Sequence, residues 1–77
     1  MRDLAVVSEI TCLVNGDLMV VPAGSSIADV VAVLMEGAEP KGIAVAVDQC
    51  VIPRSQWGQT RAEPDARIEI VTAAAGG

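Results

Sequence analysis

The chain has 77 residues, a formal charge of −5 and a hydrophobic content of 52%. That length supports one domain, burying about 60–65% of its unfolded surface, and the apolar half argues against disorder. The acidic balance disfavours nucleic acid and anionic membranes as partners, and the absence of His removes the commonest general base and the commonest metal ligand.

Phe and Tyr are also absent and Trp occurs once, so the core must be built from Val, Ile, Leu, Met and Ala. Cys12 and Cys50 are too few and too far apart for a zinc site, and there is no CxxC. The apolar runs are short of a membrane span, and the N-terminus lacks a secretory h-region with a small-residue cleavage site. The expectation is a soluble, cytoplasmic protein with reduced thiols, whose charge favours solubility and docking onto a basic surface.

Residues 1–9 read as a partly ordered N-terminal extension before a domain over 10–72. Ile10, Cys12 and Val14 alternate with Thr11 and Leu13, which predicts a strand with one buried face. Asn15-Gly16 is a strong hairpin signal because both residues tolerate positive φ. Asp17 to Val21 returns as a second strand, broken at Pro22-Ala23-Gly24. Ser25 or Ser26 is a natural helix N-cap, and Asp29 three residues after Ser26 forms a relative of the capping box. Ile27, Val30, Val31 and Leu34 make one apolar helical stripe, with Gly37 a C-terminal stop and Pro40 a barrier to continuation.

Ile43–Val47 is apolar throughout, which predicts an interior strand covered by the helix on at least one face. Asp48-Gln49 turns the chain, Cys50–Ile52 is a short strand, Pro53–Trp57 a corner and 58–66 a polar loop. Arg67–Thr72 alternates as a last strand, followed by a tail over 73–77 that ends in Gly76-Gly77. The predicted order is β-β-α-β-β-β. With the last strand central and parallel to the first, the helix supplies the crossover. The fold class expected is α+β: a β-grasp, or ubiquitin-like, mixed sheet packed on one helix.

The tail suits presentation of a backbone carboxylate. Gly76 and Gly77 have no side chains to crowd a partner's channel, and their φ and ψ are nearly free. A linker remnant is the plain alternative. Leu13 and Val71 fall on strand faces opposite the expected core, where apolar residues can mark a docking patch. Trp57 reads as a packing anchor. Arg54 reads either as a contact for the tail or a partner's acidic group, or as a loop-bracing residue. Cys12 reads as a small buried hydrophobe, and Cys50 as an inert strand residue, with a thiol exposed for a thioester or disulfide with a partner as the alternative.

The ordered set of motifs resembles the thiamine-biosynthesis sulfur carrier family, ThiS, over about residues 10–77. The residues that carry the likeness are the strand–Asn15-Gly16–strand opening, Ser26-Ile27-Ala28-Asp29-Val30, Gly42 to Val47, Ile52-Pro53-Arg54-Ser55-Gln56-Trp57, Arg67 to Val71, and Gly76-Gly77. Asp48-Gln49, Pro64-Asp65-Ala66 and Ala74-Ala75 depart from the family's usual residues, on loops and in the tail.

The resemblance implies a co-substrate rather than an enzyme. Gly77 would be adenylated by a ThiF-like enzyme using ATP, converted to a thiocarboxylate with sulfur from a cysteine desulfurase pathway, and used by a ThiG-like thiazole synthase. Gly76 would be the tail hinge, and the domain itself would bind no cofactor and no metal. A molybdopterin-synthase small subunit shares fold and chemistry and is the nearest alternative. A ubiquitin-like modifier or interaction domain without sulfur chemistry is the next.

Overall fold

The computed structural model describes residues 8–36 and 42–72. Gly37, Pro40, most of the N-terminal extension, and the tail with Gly76 and Gly77 lie outside the described residues. Five strands and one α-helix are present: β1 Glu9–Val14, β2 Asp17–Pro22, α1 Ile27–Met35, β3 Ile43–Val47, β4 Cys50–Ile52 and β5 Arg67–Thr72, with a 3-10 helix at Arg54–Gln59 between β4 and β5. The sheet order is β2-β1-β5-β3-β4.

The hairpin β1–β2 turns on Asn15 and Gly16, whose φ values are 51° and 87°. Such values favour the mirror-image turn that matches strand twist. The hairpin starts earlier than the sequence pattern indicates. Glu9 pairs with Pro22, so one residue assigned to the extension belongs to the sheet, and the Ala23 amide donates to the Ser8 carbonyl just before it. β5 runs parallel to β1 and antiparallel to β3, so the last strand occupies the middle of the sheet. β3 is interior, as its apolar run implies, and β4 closes that side as a short edge.

The N-terminus of α1 is capped at Ser26. Its hydroxyl accepts from the Asp29 amide at 3.1 Å while the Asp29 carboxylate accepts from the Ser26 amide at 3.0 Å, a full capping box. Replacing Ser26 with Ala removes one half of this exchange. We expect a loss of about 1 kcal/mol, read as a fall in Tm of roughly 4–8 °C for a domain of this size.

The helix ends with Glu36 in the left-handed region, at φ 55°. Ile27, Val30 and Val31 are buried against the sheet, but Leu34 is 41% exposed, and Met35 packs on the core in its place. The helical period carries the core stripe from Ile27 to Met35 and leaves Leu34 at its rim.

The core joins these helical residues to Cys12 and Val14 of β1, Val21 of β2, Val45 of β3, and Ile68 and Ile70 of β5. Trp57 closes one end. It is buried, its indole N–H donates to the Ile52 carbonyl at 2.9 Å, and the Arg54 guanidinium lies 5.7 Å from the ring centroid. The segment over 60–62 is tied to the start of the helix. Ile27 donates to the Thr60 carbonyl and Ala62 to the Ser25 carbonyl, both at 2.8 Å. The stretch read as a polar loop therefore contributes buried Ala62 and Ala66 to the core.

Candidate functional site

The tail departs from β5, so the site is built around the strand that delivers it. At its start β5 is held by the β3–β4 turn. The Asp48 amide donates to the Arg67 carbonyl at 2.8 Å and the Asp48 carboxylate accepts from the Arg67 amide at 3.0 Å. Farther along, β1 ends at Val14 opposite Ile68, two residues short of Ile70. The Asn15 amide still reaches the Ile68 carbonyl, at 2.9 Å. Its side chain then continues the ladder. The carboxamide N–H donates to the Ile70 carbonyl at 3.1 Å, and the carboxamide oxygen accepts from the Ile70 amide at 2.8 Å. Sequence reasoning read Asn15 only as a turn former and missed this second role, because a turn-compatible φ dominates the signal of an Asn-Gly pair.

The two faces of the sheet differ. Strand register places Thr11, Leu13, Leu18, Val20, Arg67, Glu69, Val71, Ala44, Ala46 and Val51 on the face away from α1. Four of its apolar residues are widely open to solvent: Leu18 at 75%, Val51 at 74%, Val71 at 61% and Val20 at 58%. Leu13 is half-buried among them. The structure thus brings Leu13 and Val71 onto one surface and adds Leu18, Val20 and Val51. These three alternate along their strands with the inward residues Met19, Val21 and Ile52. Val71 precedes the tail by two residues. Arg54 sits elsewhere, on the corner after β4, stacked on Trp57.

Cys12 offers no nucleophile built for reaction. The buried Cys12 thiol donates to the Glu63 carbonyl at 3.4 Å. Burial pushes its pKa up, and the Asp65 carboxylate adds to the shift, so the thiol stays protonated at neutral pH. Cys50 is exposed and free on the edge strand β4. Among the described residues no cluster of three His, Cys, Asp or Glu side chains could hold a metal ion, and no helix is long and apolar enough to cross a membrane.

A family model describing the ThiS family matches residues 4–77. The chain belongs to the ThiS family. The family is that of small sulfur carrier proteins of thiamine biosynthesis, not themselves catalytic. Among solved structures, the thiamine biosynthesis protein ThiS from Geobacter metallireducens superposes with a TM-score of 0.71 at 17% identity, covering 88% of this chain and all of that one. At that identity the likeness speaks for the fold, and the fold is the β-grasp expected for the ThiS family. A search of curated proteins found no match.

Proposed function

We propose that Gly77 is the reacting residue of this carrier and that its carboxylate is converted to a thiocarboxylate for thiazole formation. The observation that carries this reading is the reach of the family match, which extends through Gly76 and Gly77. A carboxylate is a poor electrophile. In the proposed sequence its oxygen attacks the α-phosphate of ATP on a ThiF-like adenylating enzyme, releasing pyrophosphate and leaving an acyl-adenylate. A persulfide sulfur supplied by a cysteine desulfurase pathway then displaces AMP, giving an acyl disulfide that a second thiol cleaves to leave the thiocarboxylate and a disulfide. The resulting thiocarboxylate passes its sulfur to a ThiG-like thiazole synthase. ATP belongs to the activating enzyme, and the carrier supplies only its backbone end. Free Cys12 and Cys50 are in keeping with a cytoplasmic setting for these steps.

The test is intact-mass spectrometry after incubation with the organism's own activating enzyme, ATP and a sulfur source. The expected change is one oxygen replaced by one sulfur, localised to Gly77. An unchanged mass, or isopeptide adducts on lysines instead, would replace this reading with that of a modifier.

The exposed apolar sheet face suits docking onto the activating enzyme, beside the root of the tail. Removing such a patch from water contributes about 25 cal/mol per Å² of apolar surface. Val71→Glu is expected to raise the KM for the activating enzyme roughly tenfold, with stability changed by no more than about 1 kcal/mol because the residue is exposed. Steady-state pyrophosphate release against carrier concentration, with a thermal melt alongside, checks both halves.

A further inference from the structure

We infer that Asn15 is a positioning residue that holds the end of β5, the strand that leads into the C-terminal Gly76-Gly77. The inference deepens the proposed function and rests on it, because it concerns delivery of Gly77.

A strand in the middle of a sheet needs partners on both sides. On the β3 side, β5 is paired from Ile68 opposite Val47 to Thr72 opposite Ile43. On the β1 side the partner strand stops at Val14, opposite Ile68. The chain turns away at Asn15 and Gly16, so the two backbone groups of Ile70 that point toward β1 would be left to water. One carboxamide satisfies both, because it carries a donor and an acceptor at the spacing of a peptide group. The backbone at Asn15 is left-handed, φ 51°, and its side chain reaches Ile70 of β5. The result is two-sided support for β5 two residues farther than β1 itself reaches. Beyond Ile70 only Val71 and Thr72 remain in β5 before the tail.

Without the carboxamide, the end of β5 would be held from one side only, and it would fray. Fraying of Val71 and Thr72 lowers the fraction of carrier in which β5 presents the following residues in the geometry an enzyme channel accepts. Apparent affinity falls by that fraction, whereas the chemistry at the carboxylate, once seated, does not change.

Asn15→Gly isolates the side chain, since glycine accepts the same positive φ and preserves the turn. The stability control is Ser26→Ala, which weakens the helix cap and touches neither Asn15 nor β5. Hydrogen exchange of the free carrier reads the clamp, and pyrophosphate release by the activating enzyme with ATP reads delivery. For Asn15→Gly we expect Ile70 amide exchange to accelerate roughly tenfold under conditions where local opening dominates, as two hydrogen bonds are lost. The Val45 amide should keep its protection, and KM for the carrier should rise by a similar factor at unchanged kcat. Asn15→Asp keeps the acceptor for the Ile70 amide and loses the donor to its carbonyl, so it should fall between wild type and Asn15→Gly. Ser26→Ala should leave KM unchanged.

Unchanged Ile70 exchange in Asn15→Gly overturns the clamp. Faster exchange with an unchanged KM overturns its role in delivery, as does a KM rise of equal size in Ser26→Ala. A wild-type chain that is never adenylated overturns the functional reading instead, and the exchange result then stands apart from it.

Discussion

Deletion of Gly77 is expected to leave a folded domain that takes up no sulfur. The reacting carbon in the proposed chemistry is the last backbone carbonyl, and nothing in the described structure can replace it. The shortened chain would offer the Gly76 carboxylate one residue, or about 3.5 Å, short of the reacting position. A displacement of even 1 Å can cost on the order of 100-fold in rate, so conversion should fall below detection by intact-mass spectrometry. Gly77→Ala tests the same point more gently. The added Cβ crowds the attacked carbonyl, and a loss of roughly 100-fold or more is expected. The fold should be untouched in both variants, because the elements of the described domain are complete at Thr72. A deletion variant that still acquired sulfur would place the reacting group elsewhere.

The largest effect on stability is expected from Ile68→Ala. Ile68 is fully buried near the start of the middle strand, opposite Val14 of β1 and Val47 of β3. Its removal strips transfer energy from the core and opens a cavity that two flanking strands prevent from collapsing, at a cost of about 3–4 kcal/mol. A domain of this length has a total stability on the order of 4–11 kcal/mol, so a large share is lost and Tm should fall by roughly 15–25 °C. Trp57, the one tryptophan and itself buried, is a ready fluorescence probe for a urea titration. The midpoint should drop with the slope retained. A loss under about 1 kcal/mol would mean that Ile68 is not the centre of the core.

Much of this architecture was legible from local pattern. The alternation in β1 and β5, the Asn-Gly turn, the Ser26 cap with Asp29, and the apolar run of β3 each report a backbone preference or a face that one stretch of chain reveals alone. The Gly-Gly end was equally visible, as a run without side chains. What stayed hidden depends on the strands lying side by side. Leu18, Val20 and Val51 look like ordinary strand residues until register stacks them with Leu13 and Val71. Asn15 carries two messages in one side chain, and the one about Ile70 concerns a residue 55 positions away. Ala62 and Ala66 sit in a stretch whose polar composition says loop, yet Ala62 is bonded back to the helix start, and Asp65 and Ala66 are bonded to Thr11 and Leu13 of β1.

The central placement of β5 also bears on how the molecule is made. A ribosome releases β1, β2, α1, β3 and β4 before the element that joins the two halves of the sheet. Until then the hairpin on one side and the β3–β4 pair on the other have no shared partner, and their inner edges stand open. Closure requires the most distant stretches of the nascent polypeptide to meet, which is the slow kind of pairing. Completion of the sheet therefore waits for β5, and the finished shape reports that the chain has been synthesised at least through Thr72.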